Sequence, residues 1–441
     1  MPALHVWYRG AIAGEFVREG SAVSLRYDSG YVGPPLSLSL PKEGQPAEKA
    51  AGHYLDNLLP DNPRVRNRWA RELRVPSSPF DILGHMGEDL AGAFSIVPEG
   101  QGPDSRRGAL VAISEDELHH RAASIQNDQD LWLPTDQIGK VRMSLAGAQG
   151  KFSLVSVGDM WFFSTISSPS THIFKPAAKR FPELASLEAA SLAIASTVGV
   201  RAPMAEAADL GSPRGTFVVE RFDRTTDPST GRTVRVHAED MAQAHGRRPA
   251  DKYAIPARDV VSMLGRHARD KDAPYEFVEM LALNVAIGNA DAHGKNYSVM
   301  IEDDGKAVLA PIYDTVPTAY YPELNTRLGM KVGRAHDGRN VQVGDWQKFA
   351  ADARLDTERV VEVARRIHEG VAEVAHGEYK AAGVTGAALE RMDAIVAERT
   401  QILRPIGRSG STSNRARGAR PHSFEGKAET GASTECSART A

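Results

Sequence analysis

The chain has 441 residues, 41% of them apolar and 25% charged, with a formal net charge of −3. This is ordinary globular composition, long enough for about three domain-sized units, and the near balance of charge excludes a global electrostatic pull toward nucleic acid or membrane. The lone Cys436 excludes an intrachain disulfide framework and argues against a cysteine-based metal site.

The opening MPALHVWYRG lacks the basic and apolar regions of a signal peptide. No apolar run approaches the roughly 18 residues of a membrane span, so a soluble, cytoplasmic protein is expected. Residues 1–45 alternate β-like runs (LHVWY, EFV, AVSLRY) with Gly, Asp-Ser-Gly and Pro punctuation, which predicts a small antiparallel meander. Helical spacing follows from Pro46 to Leu59 and from Pro63 to Leu73, and FDILGHMGEDLAGAF continues the mixed pattern. Together these make an N-terminal α+β unit over residues 1–105. Residues 106–140 are polar and connect it to the next unit, with one helix expected near SEDELHHRAASI.

Strand texture returns in VRMSL, KFSLVSV, MWFFS and THIFK, separated by Gly or Ser-Pro turns, as in an antiparallel sheet. A helix is expected from Pro182 to about Val198, with proline in its first turn and Gly199 past its end, and GTFVVERF adds a further strand. This β-rich lobe covers residues 141–236. From 237 to 404 helical spacing dominates, apart from one hairpin in which YSVMI and KAVLA flank EDDG. The tail, 405–441, is small, polar and basic, and is expected to be disordered.

GNADAHGKN, residues 288–296, sets polar side chains between two apolar elements. Such groups must be hydrogen-bonded or meet a ligand. Asp291 and Asn296 form D-x-x-x-x-N, a spacing that suits phosphotransfer: a carboxylate takes the proton of an attacking hydroxyl, and a side-chain carbonyl helps hold Mg²⁺. Asp314, in PIYDT, offers a charged second ligand, and Lys295 an ammonium for the terminal phosphate. Alone, D-x-x-x-x-N fits an Asx turn or helix cap as well. Asp291 with His293 would suit a metallohydrolase, but no second His/Asp cluster stands at ligand spacing.

SLAGAQGK, residues 144–151, places small residues between two strand-like runs. Small residues let a backbone approach a phosphate closely, and strand, glycine-rich turn, strand is the kinase form of phosphate cover. A plain hairpin is the competing reading. Lys175 ends THIFK where a kinase places its phosphate-pairing lysine, and Glu188 on the next helix is the carboxylate to pair with it. VVERFDR, residues 218–224, reads as a hinge that would offer backbone groups to adenine.

In this order, SLAGAQGK, THIFKP, VVERFDR, EDM at 239–241, GNADAHGKNYSV and PIYDT resemble the HipA kinases, the toxins of type II toxin–antitoxin modules. YLDNLLPDNPRVRNR resembles them too, and the likeness runs from about residue 4 to about residue 400. It implies an α+β, divergent protein-kinase-like fold with an N-terminal β-rich subdomain, an antiparallel-sheet ATP lobe and an all-helical C-terminal lobe. It also implies a protein Ser/Thr kinase using ATP and Mg²⁺, with Asp291 as catalytic base, Asn296 and Asp314 as metal ligands and Lys175 on the phosphates. Ala146, Gly147, Ala148, Gln149, Gly150 and Lys151 would cover the phosphates, while Glu220, Arg221 and Phe222 would hold adenine. His293, Gly294, Lys295, Asn296, Tyr313 and Asp314 would complete the nucleotide pocket.

Ser144 matches the serine that such kinases autophosphorylate, a dianion that would repel ATP and release the loop. Implied partners are a HipB-like helix-turn-helix antitoxin, operator DNA through that complex, and an aminoacyl-tRNA synthetase substrate such as glutamyl-tRNA synthetase. Phosphorylating it would stall translation and promote dormancy. Two departures stand out: Gly150 replaces a common Glu, which suggests a more flexible loop, and Asp314 sits in Y-D-T without D-F-G. A catalytically silent co-repressor and a small-molecule phosphotransferase remain the alternatives.

Overall fold

The computed structural model describes residues 3–102, 110–132, 144–165, 167–211 and 215–401. The tail expected to be disordered, and the first three residues of VRMSL, lie outside them. The N-terminal meander is built from β1 (Ala3–Tyr8), β2 (Ala11–Glu19) and β3 (Ala22–Tyr27). Arg9 and Gly10 both have positive φ, so the β1–β2 turn twists with the strands it joins. Against one face lie α1 (Ala50–Asn57), α2 (Pro63–Leu73) and α3 (Pro79–Met86). The Asn62 side chain caps α2 at the Arg64 N–H, and Pro63 fills the first turn, where no N–H is needed. β4 (Phe94–Pro98) joins the sheet beside β1, giving the order β3-β2-β1-β4, and Phe16, Tyr54, Trp69, Phe80 and Phe94 fill the space between sheet and helices.

After α4 (Glu115–Asn127), capped by Ser114 at the Glu117 N–H, comes the second sheet. It contains β5 (Phe152–Val157), β6 (Met160–Phe162), β7 (His172–Pro176), β8 (Ala205–Ala208) and β9 (Thr216–Glu220) in the order β6-β5-β7-β9-β8. All its pairings are antiparallel. Helix α5 (Leu184–Thr197) packs against β8 and β9, and Gly199 follows it at positive φ. Pro182 lies one residue ahead of the helix cap Glu183, outside the first turn where it was expected.

The sheet departs from expectation at the glycine-rich stretch. Residues 144 and 145, before the glycine-rich stretch, are not strand, so strand, glycine turn, strand does not form among the described residues. That backbone instead pairs with the N-terminal unit: Pro60 and Gly147 form a parallel bridge, and the Asp61 N–H donates to the Gly147 carbonyl at 2.8 Å. At the junction of the lobes, β10 (Arg224–Thr226) and β11 (Thr233–Arg235) form a hairpin too short and polar to show a period-2 signal.

The C-terminal lobe is mainly but not all helical. β12 (Ala238–Asp240) pairs with the expected hairpin of β13 (Ser298–Ile301) and β14 (Ala307–Leu309), and β15 (Arg327–Val332) with β16 (Ala335–Asp337) makes a further hairpin. The short α6 (Met241–Ala244) is closed by a capping box between Asp240 and Gln243. Helices α7 (Ala257–His267), α10 (Thr357–Ala381) and α11 (Gly386–Thr400) pack around α8 (Ala273–Ile287), and α9 (Val343–Ala353) packs on α7 and α10. α8 is apolar nearly all round, as a fully enclosed helix must be. No helix among the described residues is long and apolar enough to cross a membrane.

Candidate active site

A cleft of about 750 Å³ runs between the second sheet and the helical lobe. Its geometry starts from the end of α8. Gly288 takes the left-handed conformation (φ +80), and the Asn289 N–H returns to the Asn284 carbonyl at 2.8 Å, which stops the helix and turns the chain toward the cleft. Asn289 Nδ2 donates to Asn284 Oδ1 (2.8 Å) and to the Asp314 carbonyl (3.3 Å), fastening helix end, loop and PIYDT together. Gly294 to Asn296 then form one 3₁₀ turn, with the Asn296 Oδ1 accepting from the His293 N–H at 3.1 Å.

Asn296 Nδ2 lies 2.5 Å from Asp314 Oδ2, and Lys175 Nζ is 2.9 Å from Asp314 Oδ1. Asp314 has φ +57, an uncommon state for a non-glycine residue, held here by contacts on both carboxylate oxygens and on its own carbonyl. Burial alone would raise its carboxyl, but the Lys175 and Lys151 ammoniums win and keep it well below its ordinary range. Its side chain is still 43% exposed, because it faces the open cleft. Lys175 Nζ also meets Glu188 Oε1 at 2.6 Å. Burial pushes the Glu188 carboxyl up, while Lys175, between two carboxylates that outweigh its own desolvation, is raised and stays protonated.

Asp291 stands exposed at the cleft edge, its Oδ1 accepting from the Tyr253 hydroxyl at 2.6 Å. Although part of its surface is open to solvent, the protein packed around it desolvates the carboxyl and raises it, against the lowering effect of that hydrogen bond. The Tyr253 ring meets His293 edge-on at 4.9 Å. Burial pushes the His293 imidazole down to about 4, so the ring is neutral where it lines the cleft. Lys295 is only 5% exposed and pairs with Asp61 at 2.8 Å, so it is not the free ammonium that the loop motif implied.

The glycine-rich segment is held down. Gly147 has φ +108, and a Cβ there would fall 2.6 Å from Lys151 Nζ. Lys151 donates to the Ala146 carbonyl at 2.9 Å, and burial together with the nearby Lys175 pushes its amine down to about 8. Gly150, expected to loosen the loop, does the reverse. Its N–H donates to the Gln129 side chain at 3.1 Å, and a Cβ would meet Ile125 at 2.7 Å and the Gln129 carbonyl at 2.9 Å, so the close approach of α4 requires glycine. Ala148 and Gln149 also line the cleft. Ser144 is 1% exposed, with its hydroxyl donating to the Leu58 carbonyl at 2.7 Å.

At the other end, the Phe222 ring stacks on Tyr313 (centroids 5.4 Å apart), and the Tyr313 hydroxyl donates to the Lys295 carbonyl at 2.7 Å. Glu220 is exposed on the cleft wall. Arg221 serves structure: its guanidinium donates to Asp223, Ser170 and the Leu90 carbonyl, and its N–H to the Thr171 carbonyl. The site thus gathers Lys175, Glu188, Asp291, Asn296 and Asp314. Three side chains that motif reading passed over stand among them: Asp61, Lys252 and Tyr253. Each meets its partner across a long sequence gap, so only an observed contact reveals it.

Asn296 and Asp314 carry oxygen donors that suit a divalent cation, which would need the Asn296 amide to turn its oxygen where Nδ2 now meets Asp314. The ligands are hard oxygens, the carboxylate is ionised and open to the cleft, and the amide oxygen keeps a second lone pair free. No group of three or more His, Cys, Asp or Glu side chains suited to a metal occurs among the described residues. Sparse protein ligation completed by phosphate and water is the Mg²⁺ pattern.

A sheet lobe with a buried Lys–Glu pair, facing a helical lobe whose loops present Asp291, Asn296 and Asp314, is the architecture of a protein-kinase-like phosphotransferase. The comparisons give the family. Residues 143–375 match the HipA-like C-terminal domain and residues 4–97 the HipA N-terminal domain. The chain is 34% identical over 367 residues to the kinase-family protein Y4mE of Sinorhizobium fredii, covering 79% of this chain and 85% of that one. It is 28% identical over 386 residues to the serine/threonine-protein kinase toxin HipA of Shewanella oneidensis, covering 83% and 86%. HipA in the Shewanella oneidensis complex with HipB and operator DNA superimposes with a TM-score of 0.76 at 24% identity, over 91% of this chain and 95% of that one. The protein belongs to the HipA family of serine/threonine kinase toxins and is a kinase.

Proposed function

We propose that the protein transfers the terminal phosphoryl group of ATP to a serine or threonine hydroxyl of another protein, with Asp291 as the base. The acceptor oxygen attacks the γ-phosphorus and gives its proton to the Asp291 carboxylate, the bond to the bridging oxygen breaks, and ADP leaves. The observation that carries this is the convergence of Lys175, Asn296 and Asp314 within 2.5–2.9 Å contacts on a cleft whose edge holds Asp291. Mg²⁺ held by Asn296 and Asp314 would neutralise charge on the phosphates. Lys175, fixed by Glu188, would orient them, and the 146–151 segment would cover them. Phe222 and Tyr313 would bound the adenine, with Glu220 alongside.

The biological role we propose is that of the toxin in a HipBA-like module in the cytoplasm, restrained by a HipB-like antitoxin and acting on an aminoacyl-tRNA synthetase. Membership of the family and the fold shared with the operator complex support it. Ser144 would be the autophosphorylation site. Its burial against Leu58 means that the loop must leave the N-terminal unit before the hydroxyl can react.

Incubation with radiolabelled ATP and Mg²⁺, wild type beside Asp291→Gln, tests the reaction. Labelled protein in the wild type and at least a hundredfold less in the variant is expected. Equal labelling of both would remove Asp291 from the mechanism, and no label on any protein in a cell extract would favour a silent binding subunit.

A further inference from the structure

The stretch NLLPDN, residues 57–62, joins α1 to α2 and belongs to neither kinase lobe, yet it borders the phosphate end of the cleft. By its backbone it holds the glycine-rich segment: the Leu58 carbonyl accepts from Ser144, and Asp61 N–H donates to Gly147. By one side chain it holds the catalytic loop. Asp61 Oδ1 accepts from Lys295 Nζ at 2.8 Å and Asp61 Oδ2 from Lys252 Nζ at 3.1 Å. The exposures are 14% for Asp61, 5% for Lys295 and 18% for Lys252, so the cluster is largely withdrawn from water.

Mere attachment of one domain to another does not need this arrangement. The Asp61 N–H makes the loop contact whatever the side chain is, while desolvating one carboxylate and two ammoniums is costly. Both lysines line the cleft that would take a triphosphate, and Asp61 grips the two ammoniums directly, with the Asp240 and Asp291 carboxylates close enough to act on Lys295 and Lys252. We infer that Asp61 is a positioning residue for phosphoryl transfer, supplied by the N-terminal unit: it holds Lys295 and Lys252 toward the terminal phosphate and fixes the span between glycine-rich segment and catalytic loop. This deepens the kinase reading above and rests on it. The ligand class is the terminal phosphate of a nucleoside triphosphate, and the side chain acts through the two lysines without touching it.

The test uses the full chain as wild type, Asp61→Asn, Asp61→Glu and Lys252→Gln, with kcat, KM for ATP, ADP affinity by calorimetry, and Tm. Asp61→Asn keeps the shape and the backbone N–H but loses the charge. It is expected to lower kcat at least tenfold while KM for ATP and the Kd for ADP stay within threefold and Tm within a few degrees, because ADP lacks the phosphate being positioned. Asp61→Glu should recover part of the loss, and Lys252→Gln should lower kcat by a smaller factor. A wild-type kcat in Asp61→Asn overturns the inference alone, as does a fall in kcat matched by equal falls in ADP affinity and Tm. If Asp61→Asn does not fold, Lys252→Gln decides: lowered kcat with intact ADP binding supports the inference, and unchanged kcat ends it. No transfer by the wild type overturns the kinase reading, and the inference with it.

Discussion

Lys175 and Glu188, 13 positions apart, meet at 2.6 Å where Glu188 has no exposed surface. The pair ties β7 to α5, so the position of the helix and the aim of the lysine are one variable. Removing one partner of a buried pair leaves a desolvated charge, which costs about 3–5 kcal/mol. Glu188→Ala is therefore expected to lower unfolding free energy by that order in urea titrations, and kcat/KM for ATP by at least tenfold. Full stability and activity in Glu188→Ala would mean that Asp314 alone suffices to hold Lys175.

Asp314 keeps its left-handed backbone because Lys175, Asn296 and Asn289 all hold it. Asp314→Asn preserves most of the shape and deletes the charge that would meet a cation. The Mg²⁺ concentration for half-maximal activity should rise at least tenfold, with ADP affinity in the absence of Mg²⁺ changing much less. An unshifted Mg²⁺ titration would place the cation elsewhere. Asn296→Ala should act in the same direction and more weakly, since an amide oxygen carries no net charge.

How much of this could be read from residues alone follows from the distances involved. Lys175 and Glu188 were paired in advance because a strand end and a helix face 13 residues later meet by local geometry. Asp291, Asn296 and Asp314 sit within one loop and hairpin, so spacing carried them. Asp61 reaches Lys295 across 234 positions, and no periodicity encodes that contact. The hairpin of β10 and β11 and that of β15 and β16 were missed for another reason: they pair short, half-exposed strands with little apolar alternation. Gly150 was misjudged because its meaning lies in what α4 places beside it, which the local sequence does not state.

Glu239, on β12, is buried beneath the N-terminal unit and accepts a 2.8 Å hydrogen bond from the Leu38 N–H. Burial raises its carboxyl to about 8, and that of neighbouring Asp240 to about 6. An acid raised in the folded state binds more protons there than in the unfolded chain, so its contribution falls as pH rises through the window between the two values. For Glu239 that window runs from its ordinary 4.5 to about 8. Its share of the Tm slope from pH 5 to pH 8 is therefore downward, opposed below about pH 6.5 by the buried neutral histidines His237, His293 and His368. Glu239→Gln, neutral throughout, should remove that share and be more stable than wild type near pH 8. A Tm difference between wild type and Glu239→Gln that stays constant across this range would show that the Glu239 carboxyl is not raised in the fold.

Tyr253 holds its hydroxyl 2.6 Å from Asp291 Oδ1, on a ring that is 55% exposed and braced edge-on by His293. A substrate hydroxyl about to lose its proton must come within hydrogen-bond reach of the same carboxylate. Tyr253 therefore both competes with the acceptor for one oxygen and lowers the Asp291 carboxyl, offsetting burial. Tyr253→Phe keeps the ring and removes both effects. Without the hydrogen bond the Asp291 carboxyl rises, so the acid limb of the pH profile of kcat/KM should move to higher pH. Well above that limb, where the base is ionised in both proteins, the variant should match or exceed the wild-type rate because the competing hydroxyl is gone. An unmoved acid limb would show that the contact has no hold on the base. A large loss of rate at every pH, with the limb in place, would instead make the tyrosine hydroxyl part of the substrate's own binding site.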